Sequence, residues 1–319
     1  MSLNEFDLVA DIGGTNARFA LHTRGTRAEF SHERVYACAE FPRFEDALAA
    51  YRRECQVTFR DAAIAIANPV CGDAIRMTNH HWAFSIDRAR RELGLKRLVV
   101  VNDFTALALS IPLLPTSELS QIGGGGAVPN ATIAVIGPGT GLGVSGLVWS
   151  GTRWLALASE GGHVSYSPRK AREWAMSEIL RARYGGYLSF ERIVSGPGLR
   201  ALYDAFCELD GVPAQTLTPA EVAEQALAGS DARFSEVFDT FCAALGCAAG
   251  NLALTLGARG GVFIGGGIVP RWGDKFAQSL FRHTFESKGR FKDFLAPIPV
   301  YVIHARLPAL IGAASVLVD

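Results

Sequence analysis

Phe6-Asp7-Leu8-Val9-Ala10-Asp11-Ile12-Gly13-Gly14-Thr15-Asn16-Ala17-Arg18-Phe19-Ala20-Leu21-His22 is the stretch that decides the fold. Phe6 to Ala10 reads as a short apolar strand ending at Asp11, and Ala17 to His22 restarts a strand. Gly13-Gly14 is the turn between them. The pattern is a β-hairpin with a glycine turn, not a strand entering a helix. Two glycines let backbone N–H groups approach an anion closely, because no Cβ stands in the way. Thr15 adds a hydroxyl donor, and the Asp11 carboxylate could hold a hydrated Mg2+. A double-glycine turn alone reads as a plain hairpin; the flanking Asp and Thr shift the balance toward a phosphate site.

The same device returns in the middle of the chain. Asn130 to Ile136 and Val144 to Ser150 read as strands around Gly137-Pro138-Gly139-Thr140-Gly141-Leu142-Gly143. Neither turn is a P-loop, since GxxxxGK[ST] occurs nowhere in the chain. Gly141-x-Gly143-x-x-Gly146 matches the dinucleotide fingerprint by letter, but a strand follows it where that fingerprint needs a helix. Each turn is followed by more strands and then helices. The expectation is a duplicated α/β architecture whose halves face one another across a cleft. The helical stretches are Arg43 to Glu54, Ser85 to Leu93, Arg169 to Tyr184, Gly198 to Leu209, Pro219 to Ala228, Asp231 to Leu256 and Pro308 to Leu317. Gly123 to Gly126 reads as a flexible connection between halves. The expected division is a small domain of 1–110 plus 306–319 and a large one of 111–305. The crossings at Thr105 to Pro112 and His304 to Pro308 are the expected hinges.

Several polar groups sit where such halves place ligands. Asn102-Asp103 ends an apolar strand (Leu98 to Val101), and strand ends in α/β sheets open into the ligand crevice. Asp103 suits a general base toward a hydroxyl, or equally the N-cap of a following helix; Asn102 suits a ligand or a turn. Glu160 and His163, bent together by Gly161-Gly162, could bind vicinal sugar hydroxyls. A zinc site lacks partners there. Glu191, ahead of Ser195-Gly196-Pro197-Gly198, reads alone as charge compensation at a helix start. Gly260 to Ile268 runs a strand into a glycine surface, which suits a planar ring such as adenine or simply a tight turn.

Bulk composition narrows the class. The chain has 319 residues, 49% of them hydrophobic and 19% charged, which supports a sizeable core and excludes disorder. The 31 basic and 31 acidic side chains cancel, so there is no electrostatic footprint for nucleic acid or an anionic membrane. Met1 to Leu8 lacks the basic start and apolar run of a signal peptide. No run of about 18 apolar residues is free of glycine, so no membrane span is expected. The six cysteines are scattered without a CxxC pair, as in a reduced cytoplasmic protein.

Taken together, the motifs resemble the bacterial glucokinase family. The resemblance lies in Asp11-Ile-Gly-Gly-Thr-Asn-Ala-Arg18, Thr78-Asn-His-His-Trp-Ala-Phe-Ser85, Asn102-Asp-Phe-Thr-Ala106, Gly139-Thr-Gly-Leu-Gly143, Gly161-Gly-His163 after Glu160, Ser195-Gly-Pro-Gly198 and Gly265-Gly-Gly-Ile-Val-Pro-Arg271. These stand in family order over essentially the whole chain. The resemblance implies two actin-like (ribonuclease H-like) α/β domains flanking an active-site cleft, and ATP-dependent phosphorylation of glucose at the 6-hydroxyl, the first step of glycolysis. A kinase for another hexose is the nearest alternative, and a non-catalytic sugar sensor a more distant one. It implies Asp103 as catalytic base, with Asn102, Asp103, Glu160, His163 and Glu191 binding glucose and Asn68 in the Ile66 to Pro69 turn near the sugar. It implies ATP contacts from Ala10, Asp11, Ile12, Gly13, Gly14, Thr15, Gly139, Thr140, Gly141, Gly265 and Gly266, Mg2+ near Asp11 through water, and a homodimer. Val164 to Arg183 contains no cysteine, and no DNA-binding segment precedes Asp11, so the resemblance is to the branch without zinc. Pro138 departs from the small residue expected before Gly-Thr-Gly.

Overall fold

The computed structural model describes residues 5–317. Strands β1 (Phe6–Ile12) and β2 (Asn16–Thr23) form the antiparallel hairpin, with Ile12 opposite Ala17 at its mouth. β3 (Phe30–Ala37) adds antiparallel to β2. Helix α1 (Phe44–Cys55) follows, then β4 (Asp61–Ile66), which runs parallel to β1. A small hairpin of β5 (Ala74–Arg76) and β6 (Ala83–Ser85) leads into α2 (Ile86–Glu92), capped by Ser85, whose hydroxyl accepts from Arg88 N at 3.1 Å. β7 (Arg97–Asn102) lies parallel to β4 and runs directly into α3 (Asp103–Ser110). The sheet order is β3-β2-β1-β4-β7.

The second series repeats this plan. β8 (Leu119–Gln121) comes first, then the antiparallel hairpin of β9 (Ile133–Pro138) and β10 (Leu142–Trp149), then β11 (Trp154–Ala158). Helices α4 (Ala171–Arg183), α5 (Gly196–Leu209), α6 (Pro219–Ala228) and α7 (Ala232–Leu256) follow, then β12 (Val262–Ile264). Three short helices, α8 (Gly273–Ala277), α9 (Leu280–Glu286) and α10 (Lys292–Leu295), precede β13 (Val300–Ile303) and α11 (Pro308–Ser315). β12 is parallel to both β9 and β13. The order β10-β9-β12-β13 therefore reproduces β2-β1-β4-β7, a hairpin followed by parallel strands.

The chain divides into two units: Met1–Thr116 with Trp154–Ala158 and Ala305–Asp319, and Ser117–Arg153 with Ser159–His304. This differs from the expected division in moving the boundary past residue 110 and in giving Trp154–Ala158 to the first unit. In the first unit, alternation along the strands feeds two cores. Leu8, Ala10, Ile12, Ile64 and Ile66 pack with α1 residues Phe44, Leu48 and Tyr51. Val9, Ala63 and Ala65 face Ala106 of α3 and Leu310, Ala313 and Ala314 of α11. A large core in the second unit takes many of its residues from α7, among them Phe234, Val237, Phe241 and Leu245. That helix alone among the described residues is long and apolar enough to cross a membrane, and 72% of its apolar window is buried inside the protein.

Two expectations change here. Gly123 to Gly126 is not a flexible connection between halves. It lies within the second unit, Gly123 and Gly124 have positive φ, and a Cβ on Gly124 would overlap the Ile298 carbonyl. The Gln121 side chain, through Nε2, donates to the carbonyls of Gly123, Gly124 and Gly125. Thr105 to Pro112 is not a crossing. It belongs to α3 and the 3-10 turn after it, and the chain first changes unit at Thr116–Ser117.

Candidate active site

In the first unit the glycine turn is closed by Gly13 N donating to Asn16 O at 2.9 Å, leaving Thr15 and Asn16 exposed. Cys38 N donates to Thr15 O at 2.8 Å and fixes the tip from outside. Gly14 has company: a Cβ there would stand 3.1 Å from Asn79 Cβ, so the Thr78–Trp82 segment lies against the turn. Asp11 is paired across the hairpin with Arg18. Burial pushes the Asp11 carboxyl above its usual range, and the Arg18 charge opposes that rise. Arg18 is itself held by Glu33, Nη1 to Oε1 at 2.5 Å.

β7 delivers Asn102 and Asp103 at the C-terminal end of the parallel strands, beside Ile66 of β4. The helix cap is Asn102, not Asp103. Its Oδ1 accepts from Phe104 N at 2.9 Å and Thr105 N at 3.1 Å. Asp103 thus occupies the first helical position, half-buried, with its Oδ1 accepting from Phe104 N at 2.9 Å. Asn102 Nδ2 reaches the Asn68 carbonyl at 3.4 Å. Asn68, 8% exposed, spends its amide on its own surroundings. Oδ1 accepts from Thr78 N (3.0 Å) and Thr78 Oγ1 (2.8 Å), and Nδ2 donates to Pro69 O (2.9 Å). One Nδ2 hydrogen is left for a ligand, so Asn68 braces Thr78 and Asn102 and keeps a single donor to offer.

In the second unit the turn of Gly139 to Gly141 closes β9 on β10, with Gly139 N donating to Gly141 O at 2.8 Å. Pro138 causes no loss there. It has no N–H to place, and its partner Leu142 gives its own N–H to Glu191 Oε2 at 3.0 Å. The Gly265–Gly266 run is explained by backbone packing. A Cβ on Gly137 would stand 2.6 Å from the Gly265 carbonyl carbon, and one on Gly266 (φ 82°) would overlap the Pro138 carbonyl. These glycines seat one turn on the other, and at Gly267 an added Cβ meets nothing within 4 Å.

Glu160, His163 and Glu191 come together. His163 Nε2 lies 4.0 Å from Glu160 Oε2, and His163 Nδ1 lies 3.9 Å from Glu191 Oε1. The short 3-10 turn Gly161–His163 brings the first two together, and Gly162 must be glycine because a Cβ would overlap the Leu142 carbonyl. Glu191 is anchored by its own backbone: its N–H donates to Gly162 O at 2.9 Å and its carbonyl accepts from Ser195 Oγ at 2.7 Å. The Glu160 and His163 side chains remain more than half exposed, and Glu191 is 28% exposed, so all three can meet a ligand from solvent. Two carboxylates and an imidazole offer several acceptors and a switchable donor, a set suited to a polyhydroxylated ring. Tyr187, whose hydroxyl donates to the His163 carbonyl at 2.5 Å, escaped the sequence reading, as did the Leu142 N–H. A lone exposed tyrosine and a backbone donor carry no pattern that letters could reveal. Among the described residues no group of three or more His, Cys, Asp or Glu side chains forms a metal cluster.

Two α/β units, each built on a glycine hairpin and parallel strands, define a sugar kinase of the actin-like class. A profile described as Glucokinase matches residues 8–319. The Chromobacterium violaceum protein named Glucokinase is 54% identical over 319 residues, covering 98% of this chain and 89% of that one. The Burkholderia pseudomallei "Bifunctional protein glk" is 49% identical over 314 residues, 98% of this chain but 48% of that longer protein. The crystal structure of a glucokinase from an Antarctic psychrotroph is 36% identical with a TM-score of 0.84, over 98% of each chain. The chain belongs to the glucokinase family.

Proposed function

We propose that this chain transfers the γ-phosphoryl group of ATP to the 6-hydroxyl of glucose, giving glucose 6-phosphate and ADP. The reading rests chiefly on His163 set between the carboxylates of Glu160 and Glu191, a constellation for sugar hydroxyls tied to the β9–β10 glycine turn by the Leu142 N–H. Family membership supports it over the whole chain. Glu160, His163 and Glu191 of the second unit and Asn102 and Asp103 of the first serve as the sugar's ligands. Asn68 holds Asn102 in place.

Phosphoryl transfer needs positioning and charge stabilisation more than covalent chemistry. Asp103 orients the 6-hydroxyl. As the bond from that oxygen to the γ-phosphorus forms and the bond to the β,γ-bridging oxygen breaks, the hydroxyl proton passes to the Asp103 carboxylate. The glycine turns at Asp11 to Thr15 and Gly139 to Gly141 present N–H groups to the phosphates. Mg2+, carried with the nucleotide, neutralises phosphate charge when bound. Asp11 fits that ion: it is a half-buried carboxylate whose ionisation its surroundings disfavour and a cation would favour, and magnesium takes few protein ligands. Residence in the cytoplasm belongs to the same reading, as does assembly as a homodimer, which light scattering on the purified chain checks.

A coupled assay with ATP, Mg2+ and a panel of hexoses tests the proposal. Glucose should be the best acceptor, because a site that bonds hydroxyls rejects an epimer that misplaces one. Asp103→Asn should lower turnover about 10²–10⁴-fold while glucose binding survives. Binding without turnover in the unmodified protein would make the chain a sensor. Faster turnover of another hexose would change the substrate.

A further inference from the structure

Glu191 does two jobs with one carboxylate. Oε1 faces His163 at 3.9 Å, and Oε2 accepts the Leu142 N–H at 3.0 Å, immediately after the Gly139–Gly141 turn. The turn is tied to the same helix start a second time, by Gly196 N donating to Gly139 O at 2.8 Å. Gly141 completes the arrangement by omission: a Cβ there would overlap Glu191 Oε2. Gly139, two residues earlier in the same turn, has nothing within 4 Å of an added Cβ. Neither glycine has a positive φ, so neither is required for backbone conformation.

We infer that Gly141 is a positioning residue for the sugar, acting through Glu191, and that the phosphate turn and the sugar-reading carboxylate move as one piece. The inference rests on the proposed sugar role of Glu191. A side chain at Gly141 forces the carboxylate off the Leu142 N–H, leaving a buried donor unpaired and moving Glu191 from its place beside His163. Conversely, a sugar that draws on Glu191 changes the acceptor seen by Leu142 N–H. Glucose and nucleotide thereby become coupled through a single hydrogen bond, and by linkage the coupling is reciprocal.

The test is calorimetric titration of glucose, without nucleotide, into the unmodified protein, Gly141→Ala and Gly139→Ala. Gly141→Ala should weaken glucose binding at least about tenfold, whereas Gly139→Ala should leave it within about twofold even where it disturbs nucleotide binding. Equal glucose affinity in Gly141→Ala and the unmodified protein overturns the inference; absence of glucose binding in the unmodified protein overturns the proposed function instead. Should Gly141→Ala fail to fold, the Leu142 amide proton of the unmodified protein, followed by NMR during glucose titration, decides the matter. Its resonance should move with glucose occupancy, and an unmoved Leu142 amide at saturation overturns the coupling.

Discussion

Asn102 has two duties at the start of α3: its Oδ1 caps the helix, and its Nδ2 is a proposed donor to the sugar. From letters alone, Asp103 suited either a base or a helix cap. The structure gives the cap to Asn102, through bonds to Phe104 N and Thr105 N, and places Asp103 one position on. The two duties of Asn102 can be separated by substitution. Asn102→Ala removes an N-cap and should cost about 1 kcal/mol of stability. Asn102→Asp retains an acceptor at the cap, and a negative charge suits a helix start, so stability should stay within about 0.5 kcal/mol. It loses the Nδ2 donor, however, and sets a second carboxylate beside Asp103. Glucose KM should rise about tenfold in Asn102→Asp with urea stability preserved. An Asn102→Asp variant with the ordinary KM would reduce Asn102 to a cap.

Between elements, α11 packs closely on α3 in the first unit. Gly312 lies against the Ala106 backbone so tightly that a Cβ would overlap the Ala106 carbonyl. The sheet residues beneath are correspondingly small, Ala63 and Ala65. Gly312→Ala should therefore destabilise by about 1–3 kcal/mol, as overpacking does, seen as a lower urea midpoint with unchanged slope. Because α3 begins at Asp103, turnover should fall as well; an unaltered midpoint would mean that the helices part without cost. Such long-range closeness is not written in a local pattern. The glycine hairpins were legible because alternation and Gly-Gly are local signals. α6 was legible to its bounds because Pro219 and the Thr218–Glu221 capping box mark its start and Gly229 its end. Gly123 to Gly126 misled, since composition reads as freedom while packing on Ile298 removes it. β3 was missed because it carries the polar run Ser31 to Arg34 and only Tyr36 is buried. The short helices between Gly273 and Leu295 were missed because none is long enough to show a period.

At the scale of the whole molecule, the duplicated plan distributes the chemistry. Each unit carries a glycine turn at the end of its first hairpin, and each carries part of the proposed sugar set: Asn102 and Asp103 in the first, Glu160, His163 and Glu191 in the second. Each unit also has its own core, so local opening of one need not report on the other. A ligand that binds only one unit slows exchange only there. One that draws on groups from both must raise the opening free energy of both, by about 2.7 kcal/mol at a hundredfold excess over Kd. Hydrogen exchange by mass spectrometry, with glucose at that excess and no nucleotide, should then show amides slowed up to about 100-fold in two places, around Leu98 to Ala106 and around Ser159 to Gly198. A non-hydrolysable ATP analogue alone should instead protect the turns at Asp11 to Thr15 and Gly139 to Gly141. Glucose protection confined to the second unit would remove Asn102 and Asp103 from the sugar set, and with them the assignment of Asp103 as the base.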